Sequence, residues 1–323
     1  MFRKTTRSGA LGASVFALAM SLVFTQAAFA KAKKPHSVHD PAVTACGTLN
    51  LSNVIYVVTA DINTASTGDC LVVTGHDASL DLNGHNITFT GSPGTSVGAG
   101  VKVTGAFNVV DGFNGTISGF AVGVLDNGGS TVGDDINMLS NGIGLELTGG
   151  TDIWTNFFAG SNTAQGVYLN SCSDECTVSD FQSVGNTGDG VLITGSDGAR
   201  ASVFFISSNG GNGVHVGCSS SSCGGGGDEG SNNFQVRIGD GPIGFDVAGQ
   251  GGIDGNALDG VLLDKSEGSN RDQVFVIKSL HNTGIDLHDV TTTCGNNHWF
   301  HNNYGTAKAG ATVSPACIPN VPF

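Results

Sequence analysis

The chain has 323 residues, of which 51 are Gly and only 12% are charged, and its formal net charge is −14. That acidity argues against nucleic acid and anionic lipid as partners, and a polyanionic ligand would need a bridging cation or a local basic patch. The glycines lack the three-residue period of collagen, which excludes a triple helix.

Arg3, Lys4 and Arg7 precede an apolar segment over 11–24, and Ala28-Phe29-Ala30 offers a small-residue cleavage site. Residues 1–30 therefore read as a secretory signal, with a secreted or periplasmic product and no membrane span once it is removed. Residues 31–45 are a polar lead-in expected to be flexible, and 46–323 read as a single domain. The eight Cys after a signal predict disulfides. Nearness in the chain pairs Cys46 with Cys70, Cys172 with Cys176, Cys218 with Cys223, and Cys294 with Cys317.

Residues 46–70 alternate poorly and are expected to cap the N-terminal end. The stretch 78–85, reading Ala-Ser-Leu-Asp-Leu-Asn-Gly-His, is a strand followed by a turn. Beyond it one short pattern recurs: Gly, apolar, any residue, apolar. It reads Gly142-Ile143-Gly144-Leu145, Gly166-Val167-Tyr168-Leu169, Gly190-Val191-Leu192-Ile193 and Gly213-Val214-His215-Val216. It returns as Gly244-Phe245-Asp246-Val247, Gly260-Val261-Leu262-Leu263 and Gly284-Ile285-Asp286-Leu287. The steps 142→166, 166→190 and 260→284 are 24 residues, and 190→213 is 23. Residues 219–231 interrupt the series with a Ser- and Gly-rich insertion, and 296–323 form a tail with Trp299 and Tyr304.

A fixed period in this range marks a solenoid, and alternation of period two within each copy marks a strand with one buried face. Further short strands between copies, Gly, Asn, Ser and Asp turns, and no helical periodicity predict an all-β parallel β-helix. A second ladder agrees with this. Asn162, Asn186, Asn209 and Asn256 each stand four residues before a repeat Gly, where stacked amides could bond the next coil.

These repeats and the Asn ladder resemble the right-handed parallel β-helix of the pectate-lyase-like superfamily over about 71–287. The resemblance implies a solenoid fold and a polysaccharide partner. It transfers no catalytic residue. Asp134-Asp135 is similar to the paired Asp of polygalacturonases, but Asn186-Thr187-Gly188 and Asn282-Thr283-Gly284 carry Gly where that family's Asn-Thr-Asp motif has Asp. The Asp-Pro-His motif of alginate epimerases is absent, and Arg200, Arg237 and Arg271 fall off the outward stripe, whereas pectate lyases use an Arg base.

In each copy the residue between the apolar positions points outward. The outward stripe is expected to run Lys102, Gly123, Gly144, Tyr168, Leu192, His215, Asp246, Leu262, Asp286, flanked by Glu146, Asn170, Thr194, Asp264 and His288. Its C-terminal half gathers the residues with chemistry. Tyr168 and His215, two coils apart, are the pair for proton abstraction from a uronic acid, the preferred reaction, and His288 is a further candidate. Asp246 and Asp286 are the pair for hydrolysis of a glycosidic bond. Asp264, Asp286 and Asp289 offer oxygen ligands to Ca²⁺. Asp189 and Asp259 read as turn residues. The different-class alternative is a non-catalytic, glycan-binding extracellular scaffold, and a monomer is expected.

Overall fold

The computed structural model describes residues 40–92, 95–172, 176–194, 199–217, 235–237, 252–264, 273–275, 277–290, 297–300, 302–309, 312–313 and 318–319. Every regular element among them is a β-strand. One coil shows the plan: Ile143–Thr148, then Ile153–Thr155, then Phe158–Gly160, before the chain begins the next coil at Val167–Asn170. Three strands per coil make three faces. The first face is a 12-stranded sheet, parallel except for its last pairing, Ala307–Ala309 with Thr312–Val313. The second and third faces join in a 19-stranded sheet because Thr177–Val184 and Arg200–Ser207 each run through the corner between them. The parallel β-solenoid expected from the repeats is therefore the fold.

The corners explain the turn-residue composition. At all three, residues in the left-handed conformation let the chain turn sharply. Asp77, Ser130 and Ser171 lie after the first face (φ 54°, 60°, 57°), Asp135, Asn156 and Asp180 after the second (62°, 52°, 51°), and Ser140, Ser161 and Ser208 after the third (55°, 54°, 57°). Short polar side chains tolerate this conformation and bond their own backbone. Between corners, alternate residues point inward. Val101, Val124, Leu145, Val167, Val191 and Val214 stack in one wholly buried column, each over its register partner. Phe157, Phe181 and Phe204 add an aromatic stack with centroids 5.0 and 5.7 Å apart.

The Asn ladder forms and is longer than expected. Oδ1 of Asn162 accepts the main-chain N–H of Asn141 at 2.9 Å. The amide of Asn162 donates to Oδ1 of Asn186, Asn186 to Asn209, Asn209 to Asn256 and Asn256 to Asn282, each at 2.9 Å. Buried amides so arranged satisfy one another and the coil backbone, where any one left unpaired would be costly.

The ladder also corrects the register. Gly144, not Gly142, pairs with the level of Gly166, because Leu145 stands against Val167. Val261 stands against Leu287, so the residue at the level of Gly260 is Asp286 rather than Gly284. Val214 stands directly against Val261. The repeat copy Gly244-Phe245-Asp246-Val247, with Asp246, lies outside the described residues. A copy of the repeat can slide by two residues without changing which side chains face inward, and this is how the sequence misleads.

The N-terminal expectations shift as well. Ala42–Val43 already pairs with Val57 and Val58, inside the supposed flexible lead-in. Gly47–Leu49, Ile55–Val58 and Ile62–Thr64 are ordinary rungs of the three faces. Cys46–Cys70 and Cys172–Cys176 are bonded. The pairs Cys218–Cys223 and Cys294–Cys317, the signal over 1–30 and the insertion over 219–231 lie outside the described residues. No helix among the described residues is long and apolar enough to cross a membrane.

Candidate functional site on the first face

Register partners define the outward column of the first face. Lys102, Leu125, Glu146 and Tyr168 stack in succession, followed by Leu192, His215, Leu262, His288 and Lys308. Gly123 and Gly144 fall two residues from this column. Tyr168 and His215 lie in it as expected, whereas Glu146 and His288, expected beside the stripe, stand in it, His288 in the place expected for Asp286. Beside it, Asn170 stands against Thr148 and Thr194, and Asp264 against Gly217. Leu192 is only 3% exposed although it points outward, so it fills the gap between Tyr168 and His215.

Two carboxylate–imidazole pairs dominate the C-terminal half. Nδ1 of His215 is 3.1 Å from Oδ2 of Asp189, and Nδ1 of His288 is 2.7 Å from Oδ2 of Asp259. Both pairs are mostly buried, with His215 and Asp189 12% and 13% exposed. Each Asp sits at the third corner, one position before the Gly that opens a first-face strand. There its other oxygen is structural: Oδ1 of Asp189 accepts the main-chain N–H of Asn212 at 2.6 Å, and Oδ1 of Asp259 accepts that of Ile285 at 2.6 Å. The side-chain oxygen of Asn212 takes the main-chain N–H of Asp259 at 3.0 Å and ties the pairs into one chain of bonds. A single carboxylate thus holds a corner with one oxygen and aims an imidazole with the other.

The tautomer in which Nδ1–H of His215 donates to Oδ2 of Asp189 leaves the ring's lone pair on Nε2. Nε2 is shielded from solvent and has no hydrogen-bond partner. Oδ2 of Asp264 stands 4.0 Å from it, too far for a hydrogen bond. An oriented imidazole with an unpaired nitrogen is the arrangement that a general base needs, while the 4.0 Å to Asp264 leaves no room for a third group between the two.

The other predicted residues do not join this centre. The Tyr168 hydroxyl bonds Oγ1 of Thr194 at 3.0 Å and lies two rungs from His215, about 10 Å along the sheet. Below it Glu146 is held above the ordinary carboxylate range by burial, against the opposing effect of a hydrogen bond from Asn170. Asp286 is no surface acid. It is 3% exposed, and it ends the Asn ladder by accepting the Asn282 amide at 2.8 Å on Oδ1. Its Oδ2 accepts the main-chain N–H groups of Gly305 and Thr306 at 3.1 and 2.9 Å. Asp289 points inward, wholly buried, with Oδ2 accepting the Asn297 amide at 2.8 Å and the Trp299 indole N–H at 3.2 Å. Asp264, Asp286 and Asp289 therefore face three directions and do not assemble as a Ca²⁺ set. No group of three or more His, Cys, Asp or Glu side chains among the described residues is placed to hold a metal ion.

Sequence reasoning missed Asp189 and Asp259 as partners. Their signal was present: Asp precedes the repeat Gly in two copies, and in each case a His occupies the outward position of the following rung.

No protein-family profile and no curated protein matches this chain. Among solved structures, the enzymatically active domain of tailspike protein 2 of bacteriophage CBA120 is similar, with a TM-score of 0.52 and 12% identity over 84% of this chain. The chain spans 42% of the length of that structure. At such identity the likeness speaks to the shared fold.

Proposed function

We propose that the first face binds a polysaccharide and acts on it by proton transfer through His215, as a uronate lyase does. The observation that carries this reading is the unpaired Nε2 of His215, fixed from behind by Asp189 and faced by Asp264. The polysaccharide class comes from the β-helix repeat and its resemblance to the pectate-lyase-like superfamily. A solved structure of similar fold described as an enzymatically active domain supports catalysis.

In the proposed reaction Nε2 removes the C5 proton of a uronic acid. The C5–H electron pair becomes the C4=C5 double bond, the C4–O bond breaks, and the departing oxygen takes up a proton. Asp189 and Asp259 are positioning residues, and Tyr168 with Thr194 offers hydroxyl contacts two rungs away. The hydrolytic route through Asp246 and Asp286 loses support because Asp286 is consumed by the ladder end. A non-catalytic scaffold is the second reading, and the shielding of Nε2 from solvent favours it. The two bonded disulfides support an oxidising compartment, consistent with an exported protein.

The test is a panel of uronic-acid and neutral polysaccharides, following ultraviolet absorbance of unsaturated uronates and release of reducing ends. A lyase gives both signals, and His215→Ala lowers the rate at least about 100-fold with binding retained. Reducing ends without absorbance would point to hydrolysis. Binding with neither signal would establish the scaffold reading.

A further inference from the structure

The third face carries a cavity of about 140 Å³ at its C-terminal end, lined by Phe205, Gly252, Asp254, Lys278, Leu280 and His281, with the backbone of Ile253 as floor. Its shape follows from the register. Phe205, Gly252 and Lys278 occupy one outward column, and Asp254 and Leu280 the next. Gly252 leaves a notch between the long side chains of Phe205 and Lys278. No other residue suits that position, because φ is +131° and an added Cβ would lie 2.3 Å from the carbonyl oxygen of Lys278. His281 turns the corner with φ 56°, and its Nδ1 meets Oδ1 of Asp254 at 2.9 Å. The Asp254 side chain remains 54% exposed, and that of His281 79%.

We propose that this cavity binds a single neutral sugar ring, as a site separate from the first face. The chemistry of the lining selects the ligand. Phe205 and Leu280 provide an apolar plate and wall for a ring with a C–H face. Asp254 accepts and Lys278 donates on the rim, so the ligand must both donate and accept around its edge. A purely apolar molecule would strip water from both charges without replacing it. An anion would meet Asp254, and a cation would meet Lys278. A pyranose, with hydroxyls around one apolar face, satisfies all four residues. The volume suits one ring and falls below the range of about 300–1,000 Å³ usual for larger ligands. The inference rests on the glycan reading above only for its choice of probe, since no residue is shared between the two sites.

The experiment uses the full chain and the methyl glycosides of glucose, galactose and mannose, with saturation-transfer NMR and isothermal titration. At least one glycoside is expected to bind with a millimolar Kd. Phe205→Ala should weaken that binding at least tenfold and Asp254→Asn several-fold, while His215→Ala leaves it unchanged. Circular dichroism checks that each variant folds, and the near-isosteric Asp254→Asn decides should Phe205→Ala fail to fold. The inference is overturned if no methyl glycoside binds, or if Asp254→Asn and Phe205→Ala bind as the unaltered chain does. Loss of binding in His215→Ala alone would place the sugar on the first face, ending this proposal and leaving the other intact. Binding here without any reaction on polysaccharide would do the reverse.

Discussion

Asp126 and Asp152 lie wholly inside the solenoid, whereas Asp189 and Asp259 lie at the edge of the first face, a few coils further along. Both pairs are carboxylates positioned by the coil register, with Asn212 standing between Asp189 and Asp259, yet their partners differ. Inside, the donors are neutral: the Trp154 indole N–H reaches Oδ2 of Asp126 at 3.0 Å, and Oδ1 of Asp152 accepts the main-chain N–H of Thr131 at 2.9 Å. Oδ2 of Asp152 is buried with no partner. At the edge each carboxylate meets an imidazole. Burial raises Asp126, and burial, with the nearby Asp126 charge second, pushes Asp152 up to about 7. The comparison shows one repeat supporting two uses of the same side chain. Inward, aspartate is a core group that burial makes easier to neutralise; at the corner, it holds the backbone with one oxygen and aims an imidazole with the other.

The largest effect should come from breaking the inner cluster. Trp154 is wholly buried, so Trp154→Ala removes a large core side chain and takes the indole donor from Oδ2 of Asp126, at a cost of about 3–5 kcal/mol in chemical denaturation. Trp154→Phe keeps most of the packing and isolates the lost hydrogen bond, at about 1–3 kcal/mol. Equal costs for the two variants would mean that the bond to Asp126 decides the stability and the indole's bulk does not.

Next comes the pH dependence. The Asp152 carboxyl is raised in the folded protein from 3.8 to about 7, so the folded state holds its proton more tightly than the unfolded chain. Its stabilising contribution is complete below pH about 4 and is lost as pH rises to about 7. Asp152→Asn keeps the acceptor for Thr131 but has no proton to lose. Its melting temperature should exceed that of the unaltered chain at pH 8, by an amount corresponding to no more than about 4 kcal/mol, and the two should converge near pH 4. Parallel pH profiles would show that Asp152 does not titrate in this window.

The smallest stability effect belongs to the edge. Asp189→Asn retains an oxygen for the Asn212 N–H and should cost about 1 kcal/mol. Its decisive readout is the ¹⁵N spectrum of His215. The Nδ1–H tautomer of the unaltered chain should give way to a mixture, and turnover on a uronate polymer should fall while binding persists. An unchanged tautomer would remove Asp189 from its positioning role.

How far the site was legible follows from the same geometry. Alternation of period two identifies the outward side chains, so Tyr168, His215, Asp264 and His288 could be placed on the surface of one sheet. It does not identify the rung, so Asp286 could be taken for an outward acid when it stands at the repeat-Gly level and closes the Asn ladder. Asn282, four residues before Asp286, carried the information that would have moved the register. The pairing of Asp189 with His215 spans 26 residues and crosses a corner, so only a comparison of successive copies, Asp before one repeat Gly and His outward in the next rung, reports it.

Sequence alone determined the solenoid, because a repeated apolar alternation with a turn residue at each corner has one economical way to bury its apolar face. It determined the Asn ladder and the two observed disulfides for the same reason: each is set by spacing along the chain. The tertiary structure decided which rung meets which, and with it the fate of every aspartate. Stacking at a fixed separation makes a carboxylate's neighbours depend on coil length. Coil length varies from 20 residues, between Leu287 and Ala307, to 47, between Val214 and Val261. That variation places Asp289 against an indole inside the solenoid, Asp286 at the end of a ladder, and Asp189 behind the imidazole of His215.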